Sequence, residues 1–144
     1  MRRNTLFAVF FSVAVLLVAA SASAQTLVAA GDYSGGTGAN QTDVSVDESG
    51  YLTFTQSCTA GASTEPVSVD GSSNFSAAGQ YGNRPHIGPG FIGGVDVHFI
   101  GHWDAGEGTL DIYVVEDSTF DVLAHVVVTY GDLISLPICG EDEL

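Results

Sequence analysis

From Val95 to Tyr130 apolar and polar residues alternate with period two, and this pattern constrains the fold more than any other feature of the chain. Such alternation marks strands that lay one face on a core and turn the other to solvent. Val95, Val97, Phe99, Gly101 and Trp103 share one face, and Asp96, His98, Ile100, His102 and Asp104 share the other. Ala105–Gly108 (Ala-Gly-Glu-Gly) reads as a tight turn, because glycine supplies the positive φ that hairpins need. If Asp104 stands opposite Thr109, then Trp103 faces Leu110, Gly101 faces Ile112, Phe99 faces Val114 and His102 faces Asp111. A slip of one residue would expose the entire apolar set. A turn at Ser118–Phe120 then sets Val122 near Glu116, Ala124 near Val114, Val126 near Ile112 and Val128 near Leu110. His125 falls beside Tyr113 on the outer face. The expected inner face is Val97, Phe99, Trp103, Leu110, Ile112, Val114, Val122, Ala124, Val126 and Val128.

Upstream of this meander the signals are shorter. Thr26–Ala30 reads as a first strand, and Gly31–Asn40 as a glycine-rich connection or bulge. Thr42–Asp47 and Tyr51–Cys58 form a hairpin through Glu48–Gly50, and the alternation Leu52, Phe54, Gln56, Cys58 points Cys58 inward. Thr59–Thr64 reads as a polar loop, and Pro66–Asp70 as a strand with Val67 and Val69 on one face. Asp70-Gly71 is a hairpin signal, and Phe75, Ala77, Gly79 and Tyr81 form the next inner face. Residues 82–94, with two Pro and five Gly, are the longest break. Leu133–Ile138, carrying Pro137, reads as an edge or short strand. Beyond the N-terminal apolar run there is no helical stripe. The expected fold is all-β: an antiparallel up-and-down meander of about eight strands, closed or partly open as a barrel, with a β-sandwich as the alternative.

Residues 1–24 have the form of a secretory signal peptide. Arg2 and Arg3 precede an apolar run from Leu6 to Val18, and Ala22–Ala24 supplies a small-residue cleavage site. The run is shorter than the roughly 20 residues that span a bilayer. Residues 25–144 then form a single domain, about the usual size for one core. A secreted or periplasmic location follows, with no membrane insertion after cleavage.

All 17 acidic residues lie after Ala24, and Arg84 is the only Lys or Arg there, so this part carries 1 − 17 = −16. Such a field repels nucleic acid and anionic membranes. It fits a saline medium, cation binding, or an acidic surface kept soluble by charge. Cys58 and Cys139 are the only cysteines. In an exported chain the pair is expected to form a disulfide, closing a loop of about 80 residues.

The series Gly35-Gly36, Val44, Val46, Gly50–Phe54, Cys58, Pro66, Asp70-Gly71, Phe75, Gly79, Tyr81, Val97–Gly101, Leu110, Ile112, Gly131 and Cys139 resembles a group of small secreted bacterial β-proteins with two cysteines. More loosely it is similar to the lipocalin and streptavidin class of meander barrels. That resemblance implies a fold; it carries no activity to this chain.

Histidines are the best candidates for chemistry. His98 and His102, four residues apart on a strand, lie about 13 Å apart and cannot share a metal ion. His102 and Asp104 are about 7 Å apart, and Asp111 faces His102, so His102, Asp104 and Asp111 form the candidate site for a divalent cation. The competing reading is an exposed face with a His–Asp pair. Arg84 and His86, in the 82–94 break, are the candidate ligand-binding residues. There is no nucleophile elbow, phosphate loop, dinucleotide fingerprint or arguable glycosidase pair, so no catalytic residue is assigned, and no cofactor is expected beyond a divalent cation. Three functions remain: a structural or interaction module of the envelope or exterior with a protein partner, a small-ligand carrier with residues 82–94 as its lid, and a metal-binding protein or hydrolase. The bulk of Phe54, Phe75, Phe99 and Trp103 favours a filled interior and hence the first.

Overall fold

The computed structural model describes residues 26–85, 88–134, 136 and 139. The signal-peptide reading of residues 1–24, His86, most of the segment 135–138 and the tail 140–144 lie outside the described residues. Among the described residues ten strands follow one another: β1 (Thr26–Leu27), β2 (Gly31–Gly35), β3 (Thr42–Val46), β4 (Leu52–Gln56), β5 (Thr59–Ser63), β6 (Ser68–Val69), β7 (Asn74–Asn83), β8 (Ile92–Asp104), β9 (Thr109–Glu116) and β10 (Val122–Tyr130). Among the described residues the only helical element is a 3-10 turn at Gly38–Asn40.

Eight of the strands close on themselves in the order β7-β5-β4-β3-β2-β10-β9-β8, and β8 returns to β7. All these pairings are antiparallel. The architecture is therefore a closed meander barrel and not a sandwich. Closure leaves the eight strands without a free edge. The chain departs from the simple up-and-down path once, between β5 and β7. There β6 pairs with the start of β7, and β1 pairs with β6, forming a small flap at one end.

The register of β8 and β9 is the expected one: Asp104 pairs with Thr109, Trp103 with Leu110, Gly101 with Ile112 and Phe99 with Val114. β10 pairs Ala124 with Val114, Val126 with Ile112 and Val128 with Leu110, also as expected. A bulge between Val122 and Ala124 places Val122 opposite Val115 instead of Glu116, and Val122 becomes exposed. Val95, on the same side of the strand as Val97, also lies exposed near the barrel end.

Side chains fill the interior. Tyr33, Phe54, Phe99, Leu52, Leu110 and Ile112 are the largest fully buried groups, with Phe75 and Tyr81 beside them. Phe54 packs against Phe99 and Tyr81, at ring-centroid distances of 6.1 and 5.9 Å. Phe99 fits because two inner positions on adjacent strands have no side chain. A Cβ on Gly79 would sit 2.6 Å from its Cε2, and one on Gly61 would sit 3.1 Å from its Cζ. The buried phenols keep hydrogen bonds: Tyr33 donates to Ala29 O at 2.8 Å and Tyr81 to Thr59 Oγ1 at 2.7 Å. Burial pushes both phenol pKa values up.

Three sequence expectations need correction. The stretch expected to be a polar loop at Thr59–Thr64 is β5, a full barrel strand. β4 ends at Gln56, so the alternation does not reach Cys58, whose side chain is exposed in the turn that follows. Gly31–Gly35 is barrel strand β2; only the residues after it form the turn. Cys58 and Cys139 are nevertheless joined, with their Cα atoms 4.7 Å apart.

Candidate functional site

With the interior occupied, the groups available for chemistry or contact lie outside. The outer face of β7–β10 is a grid fixed by the register. Ser76, Ile100, Tyr113 and His125 lie in one row across the strands; Asn74, His102, Asp111 and Val127 lie in the next. His125 stacks on Tyr113 with ring centroids 3.9 Å apart and planes 7° from parallel, and its Nε2 lies 2.7 Å from Asp111 Oδ1. His98 Nδ1 lies 2.6 Å from Asp117 Oδ1. Both pairs are exposed to solvent, where such contacts contribute little to stability.

The structure does not gather His102, Asp104 and Asp111 into one shell. His102 is paired with Asp111 across the ladder, but its Nδ1 contacts Asn74 Oδ1 at 3.2 Å, while the Asp111 carboxylate turns toward His125. Asp104 Oδ1 accepts the backbone N–H groups of Gly106 and Glu107 at 2.9 and 3.0 Å. Among the described residues no group of three or more His, Cys, Asp or Glu side chains is placed to hold a metal ion.

Arg84 stands on the other side of the barrel. Its backbone N–H donates to Cys58 O at 2.9 Å, and its guanidinium reaches Gln56 O at 3.5 Å. It lines a groove of about 330 Å³ over the outer face of β3 and β4, with Asp43, Ser45, Thr53 and Thr55 on one wall and Leu133, Ile134 and Leu136 on the other. Leu133, Ile134 and Leu136 form that second wall in a segment tied down at three described points. Gly131 N donates to Asp32 O, Ile134 N donates to Asp43 Oδ1 at 3.1 Å, and the disulfide fixes Cys139 to Cys58. Burial raises the Asp43 pKa, against the opposing pull of the Ile134 N–H and Arg84. His86, the expected partner of Arg84, lies outside the described residues. The expected lid over 82–94 is shorter than its sequence suggests, since β7 runs to Asn83 and β8 begins at Ile92.

Two features had no functional weight in the sequence reading. First, several acidic residues serve as turn caps. Asp47 Oδ1 accepts the N–H groups of Ser49 and Tyr51, and Asp70 Oδ1 those of Ser72 and Asn74, as Asp104 does in its own turn. An Asp opening each of the turns 47–51, 70–74 and 104–108 is a legible signal for this role. Second, Phe120 occupies a left-handed conformation with φ of 60° at the β9–β10 turn and is 81% exposed. Gly or Asn is the usual residue in such a position. No periodicity argument could have found it. No protein family, curated protein or solved structure matches the chain.

Proposed function

We propose that this chain is an exported interaction module of the cell envelope or exterior, which makes its contacts through the outer surface of the barrel. The observation that carries this reading is the interior packed with Tyr33, Phe54, Phe75, Tyr81 and Phe99. A barrel that carries a small ligand needs a hollow mouth lined by apolar groups with a few polar ones to orient the guest. Here the space is taken by rings fitted against Gly61 and Gly79. The disulfide supports an oxidising compartment, as does the signal-peptide pattern of residues 1–24. Among the described residues no helix is long and apolar enough to cross a membrane.

Trp103, half-buried at the edge of the core, is the only tryptophan and reports on the interior. The test is fluorescence titration of the disulfide-bonded protein with a panel of fatty acids, sterols, flavins and aromatic amines. The expected outcome is no saturable change. A one-to-one, saturating change in Trp103 emission with any of them would refute the module reading in favour of a carrier.

A further inference from the structure

We propose that the end of the barrel formed by the β9–β10 turn docks a basic segment of a partner protein, with Phe120 as the apolar anchor. The inference rests on the module reading and names the partner's chemistry. Four apolar side chains are exposed toward this end: Phe120 at 81%, Val122 at 56%, Val95 at 39% and Leu123 at 38%. Aromatic anchors that become buried dominate the binding energy of protein interfaces. A phenylalanine left in water in a conformation that favours glycine is unfavourable twice over in the isolated chain. Burial against a partner removes the larger of these costs.

The turn is held in shape before any partner arrives. Glu116 N donates to Asp121 O and Phe120 N to Glu116 O, each at 2.9 Å, and Asp117 N donates to Asp96 O at 3.0 Å. The hydroxyls of Ser118 and Thr119 donate to the Glu116 carboxylate. A surface ordered in advance loses little entropy when it binds.

Charge complementarity selects the occupant. Beside the turn runs a groove of about 570 Å³, whose lining includes Val95, Asp96, Glu116, Asp117 and Ser118 and holds no Lys or Arg. His98 on Asp117 is the one basic side chain that meets these carboxylates in a described contact. A second copy of the chain would bring the same three carboxylates, and the same excess of 17 acidic residues over three basic ones, against them. An anionic membrane fails for the same reason. A segment with Arg or Lys interspersed among aliphatic residues satisfies both the apolar anchor and the carboxylates.

The test uses three synthetic dodecapeptides titrated calorimetrically into the intact, disulfide-bonded protein at physiological salt. One alternates Arg with Leu, one has Glu for every Arg, and one has Ser for every Leu. The variant is Phe120→Gly, which removes the anchor and places the residue best suited to positive φ, so its melting temperature should hold or rise. Tyr51→Ser, at an exposed tyrosine next to β4, four strands from β9 around the barrel, is the control. The Arg–Leu peptide is expected to bind at one site, at least about tenfold more weakly to Phe120→Gly and unchanged to Tyr51→Ser. The Glu–Leu peptide is expected not to bind, and the Arg–Ser peptide to bind weakly without sensitivity to Phe120. Equal binding of the Arg–Leu peptide to parent and Phe120→Gly would reduce the effect to diffuse attraction and overturn the proposal. So would binding of the Glu–Leu peptide, capture by phospholipid vesicles, or a Phe120-dependent dimer in sedimentation. These last three would leave the module reading standing with a different occupant. Only a ligand inside the barrel removes the module reading itself.

Discussion

Phe99→Ala is the most direct probe of the packed barrel. The ring is fully buried and lies over Gly61 and Gly79, neighbours with no side chain that could swing into the space it leaves. The cavity therefore persists. If about 100 Å³ stays empty, the cavity contribution at about 24 cal/mol per Å³ is about 2.4 kcal/mol, and loss of aromatic burial adds about 2 kcal/mol. The sum, about 4–5 kcal/mol, falls at the upper end for such substitutions. Urea unfolding followed by Trp103 emission measures it, with the slope of the transition checked for constancy. An apolar cavity of this kind should stay dry, so benzene should raise the melting temperature of the variant and leave the parent unchanged. Gly79→Ala tests the same contact from the other side. Its methyl group would press on Phe99 Cε2 and on the β5 backbone, at a cost of about 1–3 kcal/mol. A Phe99→Ala loss below about 2 kcal/mol would mean a pliable or hollow interior. It would refute the packing argument and weaken the proposal drawn from it.

The intact protein should show no alkylatable thiol by mass spectrometry without reductant, and Cys58→Ala with Cys139→Ala should lower stability by about 4 kcal/mol for a sequence separation of 81. Asp70→Ala removes the acceptor of two turn amides and should cost about 1–2 kcal/mol in denaturant unfolding, whereas Asp70→Asn, which keeps a side-chain oxygen, should cost less. With 17 acidic residues against three basic ones, the melting temperature should rise between about 0.05 and 1 M NaCl; no change in calorimetry would mean that repulsion does not limit stability. Asp43 has its folded pKa raised by burial, so its contribution is complete below the unfolded value near 3.8 and is lost as pH rises through the folded value. Asp43→Asn should accordingly match or exceed the parent in stability at neutral pH and lose that advantage in acid, as read from urea midpoints at both.

Alternation along each strand and a short turn between them were enough to read the β8–β9–β10 register, up to the bulge at Val122, because one pairing sets Phe99, Leu110, Ile112, Val114, Val126 and Val128 together on the buried face. The disulfide was legible for a different reason: Cys58 and Cys139 are the only cysteines, and a pair in a chain expected to be exported has few other fates. Strand β5 became visible only once the barrel was assembled. Thr59-Ala-Gly-Ala-Ser63 has no large apolar residue, because its inner positions leave room for the Phe99 ring arriving from β8. A strand that contributes space has no hydrophobic signal to read. Closure was likewise a tertiary matter, since the pairings of β10 with β2 and of β7 with β8 join segments whose matching cannot be seen along either one. The outer face shows the same limit at side-chain scale. The sequence reading set Asp111 opposite His102 and His125 beside Tyr113, and the ladder bears out both backbone pairings. The stacking of His125 on Tyr113 brings that imidazole to the carboxylate, while His102 turns to Asn74 on β7. Pairing is a property of the backbone ladder and follows from periodicity; which neighbour a side chain turns to depends on the packing of strands far apart in the chain.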